Sequence, residues 1–147
     1  MTSSRALANL RDLQALREHH SKAEHASALS AERKAGEEVD KAKVKFIAQN
    51  DALDHYASQD ELQIERFQIL AELIMQSEAE LELSHEALEG AREVETKARQ
   101  SLLRAEKQSD QLTELHGKAR VRERRKSEDR KSLEFLSQIA ATKGARL

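Results

Sequence analysis

Residues 67–91 read FQILAELIMQSEAELELSHEALEGA, and the spacing within that stretch decides the fold. Phe67, Ile74, Leu81 and Leu88 recur every seven residues, and Leu70, Ser77, Ser84 and Ala91 follow them three positions later. This 3-4 alternation keeps one stripe of a helix turned toward a partner helix. The register runs on through Glu95, Leu102, Ser109 and His116, and through Ala98, Ala105, Leu112 and Ala119. Large residues mostly face small ones, which suits a single close-packed partner. Gly90 and Gly117 fall outside the stripe, where each costs about 1 kcal/mol of helix propensity without opening a hole in the core.

Upstream, Val39, Ala42, Phe46, Leu53 and Tyr56 keep the same spacing, interrupted by Gln49. The chain must turn between the two patterned stretches, and Tyr56-Ala57-Ser58-Gln59-Asp60 is the best place. Ser58 and Glu61 have the S-x-x-E spacing in which the serine oxygen caps free N–H groups and the glutamate reaches back. Glu61 and Glu65 would then sit where the helix dipole favours negative charge. The expected fold class is all-α: one coiled-coil hairpin over 1–147, antiparallel, with helix 1 over about 4–56, a turn at about 57–58 and a longer helix 2 over about 59–141. Phe46, Leu53 and Tyr56 are expected near Phe67, Leu70 and Ile74, which makes the tip the best-packed part.

Away from the tip the pattern weakens. Leu7, Leu10, Leu13 and Leu16 recur at threes, and residues 20–36 offer mainly alanine, so a stutter or a loosened segment is expected there. Pairing residue for residue exhausts helix 1 near Leu112 and leaves about 30 C-terminal residues without a partner.

Composition agrees with long helices and a narrow seam. Of 147 residues, 35% are charged; proline, tryptophan and cysteine are absent, and there are three Phe and one Tyr, too few aromatics for a conventional core. Without cysteine there are no disulfides or thiolate metal sites. No run of about 18 apolar residues occurs, and Met1-Thr2-Ser3-Ser4-Arg5 leads into charged sequence, so neither a membrane span nor a signal peptide is expected. The net charge of −2 conceals a strong polarity. Residues 1–60 carry 9 basic and 10 acidic groups, residues 61–115 carry 6 and 13, and residues 116–147 carry 10 and 4, for nets of −1, −7 and +6.

Enzyme signatures are missing. Four scattered glycines form no phosphate loop, and His85-Glu86-Ala87-Leu88-Glu89 lacks the second histidine of a zinc-protease helix. No catalytic residue, metal or cofactor is expected. His85 and Glu89 share an i, i+4 face, yet the six histidines are too dispersed for a three-ligand site, and a solvated or seam-edge position suits them better. Lys118, Arg120, Arg122, Arg124, Arg125, Lys126, Arg130 and Lys131 form either a solvated helix face balanced by nearby acids, or a surface for an acidic protein or a nucleic acid. Beyond them, Leu133, Phe135, Leu136 and Ile139 form an apolar patch that marks an interface or packs back on Leu7, Leu10 and Leu13.

Arg66-Phe67-Gln68-Ile69-Leu70-Ala71-Glu72 after the turn, Arg130-Lys131-Ser132-Leu133-Glu134-Phe135 near the C-terminus, and the short-then-long helix order resemble the FliJ/YscO family. These are stalk proteins of flagellar and type III secretion export, and the likeness covers nearly the whole length. The resemblance implies a non-enzymatic, cytoplasmic stalk, peripheral at the inner-membrane export apparatus. Such a stalk sits in the pore of a hexameric export ATPase, stimulates it, and links it to the membrane export gate and to export chaperones. Arg120, Arg122, Arg124, Arg125, Arg130 and Phe135 are then expected to face the ATPase. Phe46, Tyr56, Phe67, Leu70 and Ile74 are expected to face the gate or chaperones. A monomer is expected, with no nucleic-acid partner and no direct membrane insertion. Two other readings stay open: a dimeric coiled-coil adaptor, and a nucleic-acid-binding rod that uses the basic arm.

Overall fold

The computed structural model describes residues 3–59 and 61–145. Two helices account for nearly all of them: α1, Ser4–Ala57, and α2, Ile64–Ala145, packed against each other as an all-α hairpin. No strand occurs among the described residues. The chain groups into two compact units, Ser21–Ser101 and Met1–His20 with Leu102–Leu147.

The unit Ser21–Ser101 contains the turn. Its seam on α1 runs Ser21, His25, Ala28, Glu32, Ala35, Val39, Ala42, Phe46, Gln49, Leu53 and Tyr56, each half-buried or buried, and the 3-4 alternation never breaks. On α2 the seam runs Leu70, Ile74, Ser77, Leu81, Ser84, Leu88, Ala91, Glu95 and Ala98. The helices are antiparallel here. Lys45 pairs with Glu80 at 2.9 Å and His25 with Glu95 at 3.0 Å, so positions rise on one helix as they fall on the other. Gln49, which broke the apolar pattern, faces Ser77, and the Ser77 hydroxyl donates both to the Gln49 side chain and to the Leu73 carbonyl (2.9 Å). A serine that is 1% exposed costs little when its one donor is satisfied.

The other unit keeps the same order. Ser4, Leu7, Arg11, Gln14 and Glu18 on α1 alternate by threes and fours, as do Leu102, Ala105, Ser109, Leu112, His116 and Ala119 on α2, and all are half-buried or buried. The expected stutter is therefore absent from both units. Leu10, Leu13 and Leu16 do not shift the register; they are exposed, while buried Gln14 holds the seam by donating to the Ala105 carbonyl and to Gln108 Oε1, both at 3.2 Å. Register follows position on the helix, and polar side chains that find partners fill it.

Three further expectations are corrected. Ser58 forms no capping box: its hydroxyl donates to the His55 carbonyl at 2.7 Å, which closes the end of α1, and Asp60 of the expected turn lies outside the described residues. The second helix begins at Ile64, not Gln59, with Gln63 at its threshold accepting the Phe67 N–H at 3.1 Å. Pairing does not end near Leu112 either, because Ser4 at the start of α1 meets Glu123. The first helical turn of α2 carries no half-buried residue, Phe67 stays 42% exposed, and Leu70 is the first half-buried position of the helix, so the seam of α2 starts later than the sequence pattern suggests.

Candidate functional site: an exposed basic helix and an apolar tip

Two surfaces carry the residues singled out in the sequence, one in each unit. The first is the end of α2. Glu123 accepts the Ser4 backbone N–H at 2.7 Å and the Ser4 hydroxyl, which together hold its carboxyl below the usual value. No α1 residue remains to face α2 beyond this point, and residues 120–145 are exposed throughout. Arg120, Arg122, Arg124, Arg125, Arg130 and Phe135 all lie on this exposed stretch, Phe135 at 62% exposure. Lys118 donates to Glu114 at 2.8 Å and lowers that carboxyl's pKa, first through the hydrogen bond and then through its charge. Arg124 pairs with Glu128 at 3.4 Å along the same helix. Pairs so exposed are worth little, so the arm's charge remains available to a partner. Leu133, Leu136 and Ile139 are exposed beside it, so the patch does not pack back on the α1 leucines.

The second surface is the tip. Phe46, Tyr56, Leu70 and Ile74 are half-buried seam residues, so each contributes only an edge to the surface, and Phe67 alone of the five is exposed. Ala52, His55, Tyr56, Gln59, Arg66, Ile69 and Leu70 line an open cleft of about 470 Å³. Leu62, Ile64, Leu73 and Met75 also face water in this part of the chain. The sequence reading passed over these because they fall outside the seam register, and the signal that could have found them was large apolar residues at positions a two-helix seam cannot cover.

Among the described residues the buried polar side chains are Gln14, Ser77 and Glu95, all in the seams; Glu95 meets half-buried His25 at 3.0 Å, Gln14 meets Gln108, and half-buried Arg11 lies 3.2 Å from His116. His85 and Glu89 are exposed on one helix, and among the described residues no group of three His, Cys, Asp or Glu could hold a metal ion. No described helix is long and apolar enough to cross a membrane. No protein family, curated protein or solved structure matches the chain. What the two surfaces can do is bind: the first offers cations and aliphatic carbon on a protruding helix, the second aliphatic carbon around a cleft with one arginine and one histidine.

Proposed function

We propose that this chain is the central stalk of a flagellar or type III secretion export ATPase, cytoplasmic and peripheral at the inner-membrane export apparatus. It binds and stimulates a hexameric ATPase and links it to the export gate and to export chaperones. The observation that supports this most is the extension of α2 past the start of α1: a bare basic helix tipped with Leu133, Phe135 and Ile139 is shaped for a narrow pore. The resemblance to stalk proteins, which includes the short-then-long helix order, also supports it.

The stalk hydrolyses nothing in this reading. A helix that binds only the assembled ring stabilises that ring by mass action. Unequal contacts of Arg120, Arg122, Arg124, Arg125, Arg130 and Phe135 around the pore couple the nucleotide state of each subunit to the orientation of the stalk. At the tip, Phe67 with the edges of Phe46, Tyr56, Leu70 and Ile74 meets the gate or chaperones.

The experiment is ATP hydrolysis and hexamer formation by the cognate export ATPase, with and without the chain and with Arg122, Arg124 and Arg125 changed to Glu. Enhancement by the native chain that the variant lacks is the expected result. Absence of both binding and enhancement refutes the stalk reading and leaves a coiled-coil adaptor. Salt-steep binding to DNA or RNA that the same variant loses would instead favour the nucleic-acid rod.

A further inference from the structure

The cleft at the tip has a companion in the same unit. Lys41 and Lys45 of α1 and Glu80 and Leu83 of α2 help to line a second open cleft, of about 370 Å³. On α1 the cleft residues Glu38, Lys41, Lys45, Ala52 and His55 sit three, four or seven apart, and on α2 Arg66, Ile69, Glu80 and Leu83 keep one heptad line. Residues so spaced share one side of a helix, so both clefts open on one side of the hairpin, beside the seam. That line runs on along α2 through Leu73, Ala87, Gly90 and Val94, all exposed.

This side is shaped to take another helix. Ile69, Leu73, Leu83 and Val94 hold aliphatic carbon in water. Between Leu83 and Val94, Ala87 and Gly90 keep the helix surface low, and a Cβ added at Gly90 would meet nothing within 4 Å. Small residues between large ones make the holes that receive the side chains of a neighbouring helix. The outer margin of the line supplies charge. Glu65, Glu72, Glu86 and Glu93 follow a period of seven with Ala79 in the one gap, and among the described residues none of the four has an ion-pair partner. The margin on α1 is already balanced, since Lys41 pairs with Glu38 at 3.2 Å and Lys45 with Glu80 at 2.9 Å. We propose that this side of Ser21–Ser101 docks an amphipathic helix of a partner protein. Its aliphatic stripe lies on Ile69, Leu73, Leu83 and Val94, and its Lys or Arg flank lies over Glu72, Glu86 and Glu93.

Covering the aliphatic line supplies affinity, while the glutamates select the partner and speed the encounter. They also fix its direction. Turning the docked helix end for end would carry its cations from the glutamate margin to the lysine margin. The contact does not rest on the stalk reading, whose ATPase-facing residues belong to the other unit.

The test is titration calorimetry of the full chain with two synthetic helical probes, each about 28 residues long, enough to cover the roughly 38 Å of helix between Ile69 and Val94. Both carry leucine and alanine on the stripe and glutamine on one flank; the other flank is lysine in one probe and glutamate in the other. The lysine probe is expected to bind, and the glutamate probe to bind at least about tenfold more weakly, as the loss of several exposed ion pairs requires. Leu83→Gln with Val94→Gln is expected to weaken the lysine probe by about tenfold or more without loss of helicity, since both sites are exposed. Met75→Gln, at an exposed apolar residue off this line, leaves binding unchanged. Glu72→Lys, Glu86→Lys and Glu93→Lys together reverse the preference between the probes. No saturable binding of the lysine probe below about 0.1 mM, equal binding of the two probes, or binding that survives the Leu83 and Val94 substitutions would each overturn the proposal. So would a native chain that sediments as a dimer and that those two substitutions return to monomer, which would give the face to a second copy. Loss of ATPase stimulation bears on the stalk reading alone.

Discussion

Tyr56 brackets Gln63 with a single hydroxyl, accepting the Gln63 N–H at 2.8 Å and donating to the Gln63 carbonyl at 3.2 Å. Gln63 immediately precedes α2, so the last seam residue of α1 fixes the point at which the next helix begins. Ser58 N–H to Asp54 at 3.1 Å and Gln59 N–H to Tyr56 at 3.2 Å close the other side of the turn. A side chain from the preceding helix thus replaces the Ser58–Glu61 cap.

Tyr56→Phe removes both hydrogen bonds and keeps the ring in the seam. It is expected to cost about 0.5–1.5 kcal/mol in urea unfolding and to speed amide exchange at Gln63 and the first turn of α2. Ser58→Ala is expected to change that exchange far less, since the Ser58 hydroxyl serves only the end of α1.

His25 and Glu95 form a second relationship that can be measured. Their side chains are 20% and 11% exposed, so neither is well hydrated. Glu95→Ala leaves the imidazole in the seam without its acceptor and is expected to destabilise by about 1–3 kcal/mol. Replacing both by leucine removes two desolvated polar groups and is expected to recover the native midpoint or to exceed it by about 1–4 kcal/mol. A double-mutant cycle in urea checks the sign: additive single effects would show that the 3.0 Å contact carries no coupling.

The heptad stretch 67–91 was enough to read the helical hairpin and nearly all of the α2 seam, because a period of seven on a helix leaves one face to bury. Residues 4–35 misled for a physical reason. Four leucines at spacing three look like core, yet they wind around the helix, so that only Leu7 is buried, and the register is held by Gln14, Ser21, His25 and Glu32, which composition marks as surface. The turn was legible to within several residues only, because the group that caps α2 is a phenol seven positions away, outside any local cap pattern. The basic arm was legible as a charge cluster. Its point of emergence was not, since that depends on where the turn sets the pairing.

The Ser4–Glu123 contact gives a pH dependence. Hydrogen bonds from the Ser4 hydroxyl and backbone N–H hold the Glu123 carboxyl below its ordinary value near 4.5. A depressed carboxylate favours the folded state fully above the unfolded value, and that contribution is lost as pH falls through the lower folded value. Amide protection in the first turn of α1 is therefore expected to hold at neutral pH and to fall in acid, below about pH 4.5. Glu123→Gln is expected to weaken that protection at neutral pH and to flatten the transition. An unchanged acid transition in the variant would assign it to another group.

Ending the chain after Glu123 separates folding from binding. Residues 124–145 are exposed throughout, and none of them faces α1. Their apolar side chains are already in water in the folded chain, so removing them forfeits almost no burial. The shortened chain is expected to unfold in urea within about 0.5 kcal/mol of the full chain, as surface changes usually do. It is also expected to lose stimulation of the export ATPase. A large drop in stability would mean that the arm supports the hairpin in a way its exposure does not reveal. Retained stimulation would move the ATPase contact to the paired part of the helices, where Leu10, Leu13, Leu16, Leu103 and Leu115 are among the exposed apolar residues left to make it.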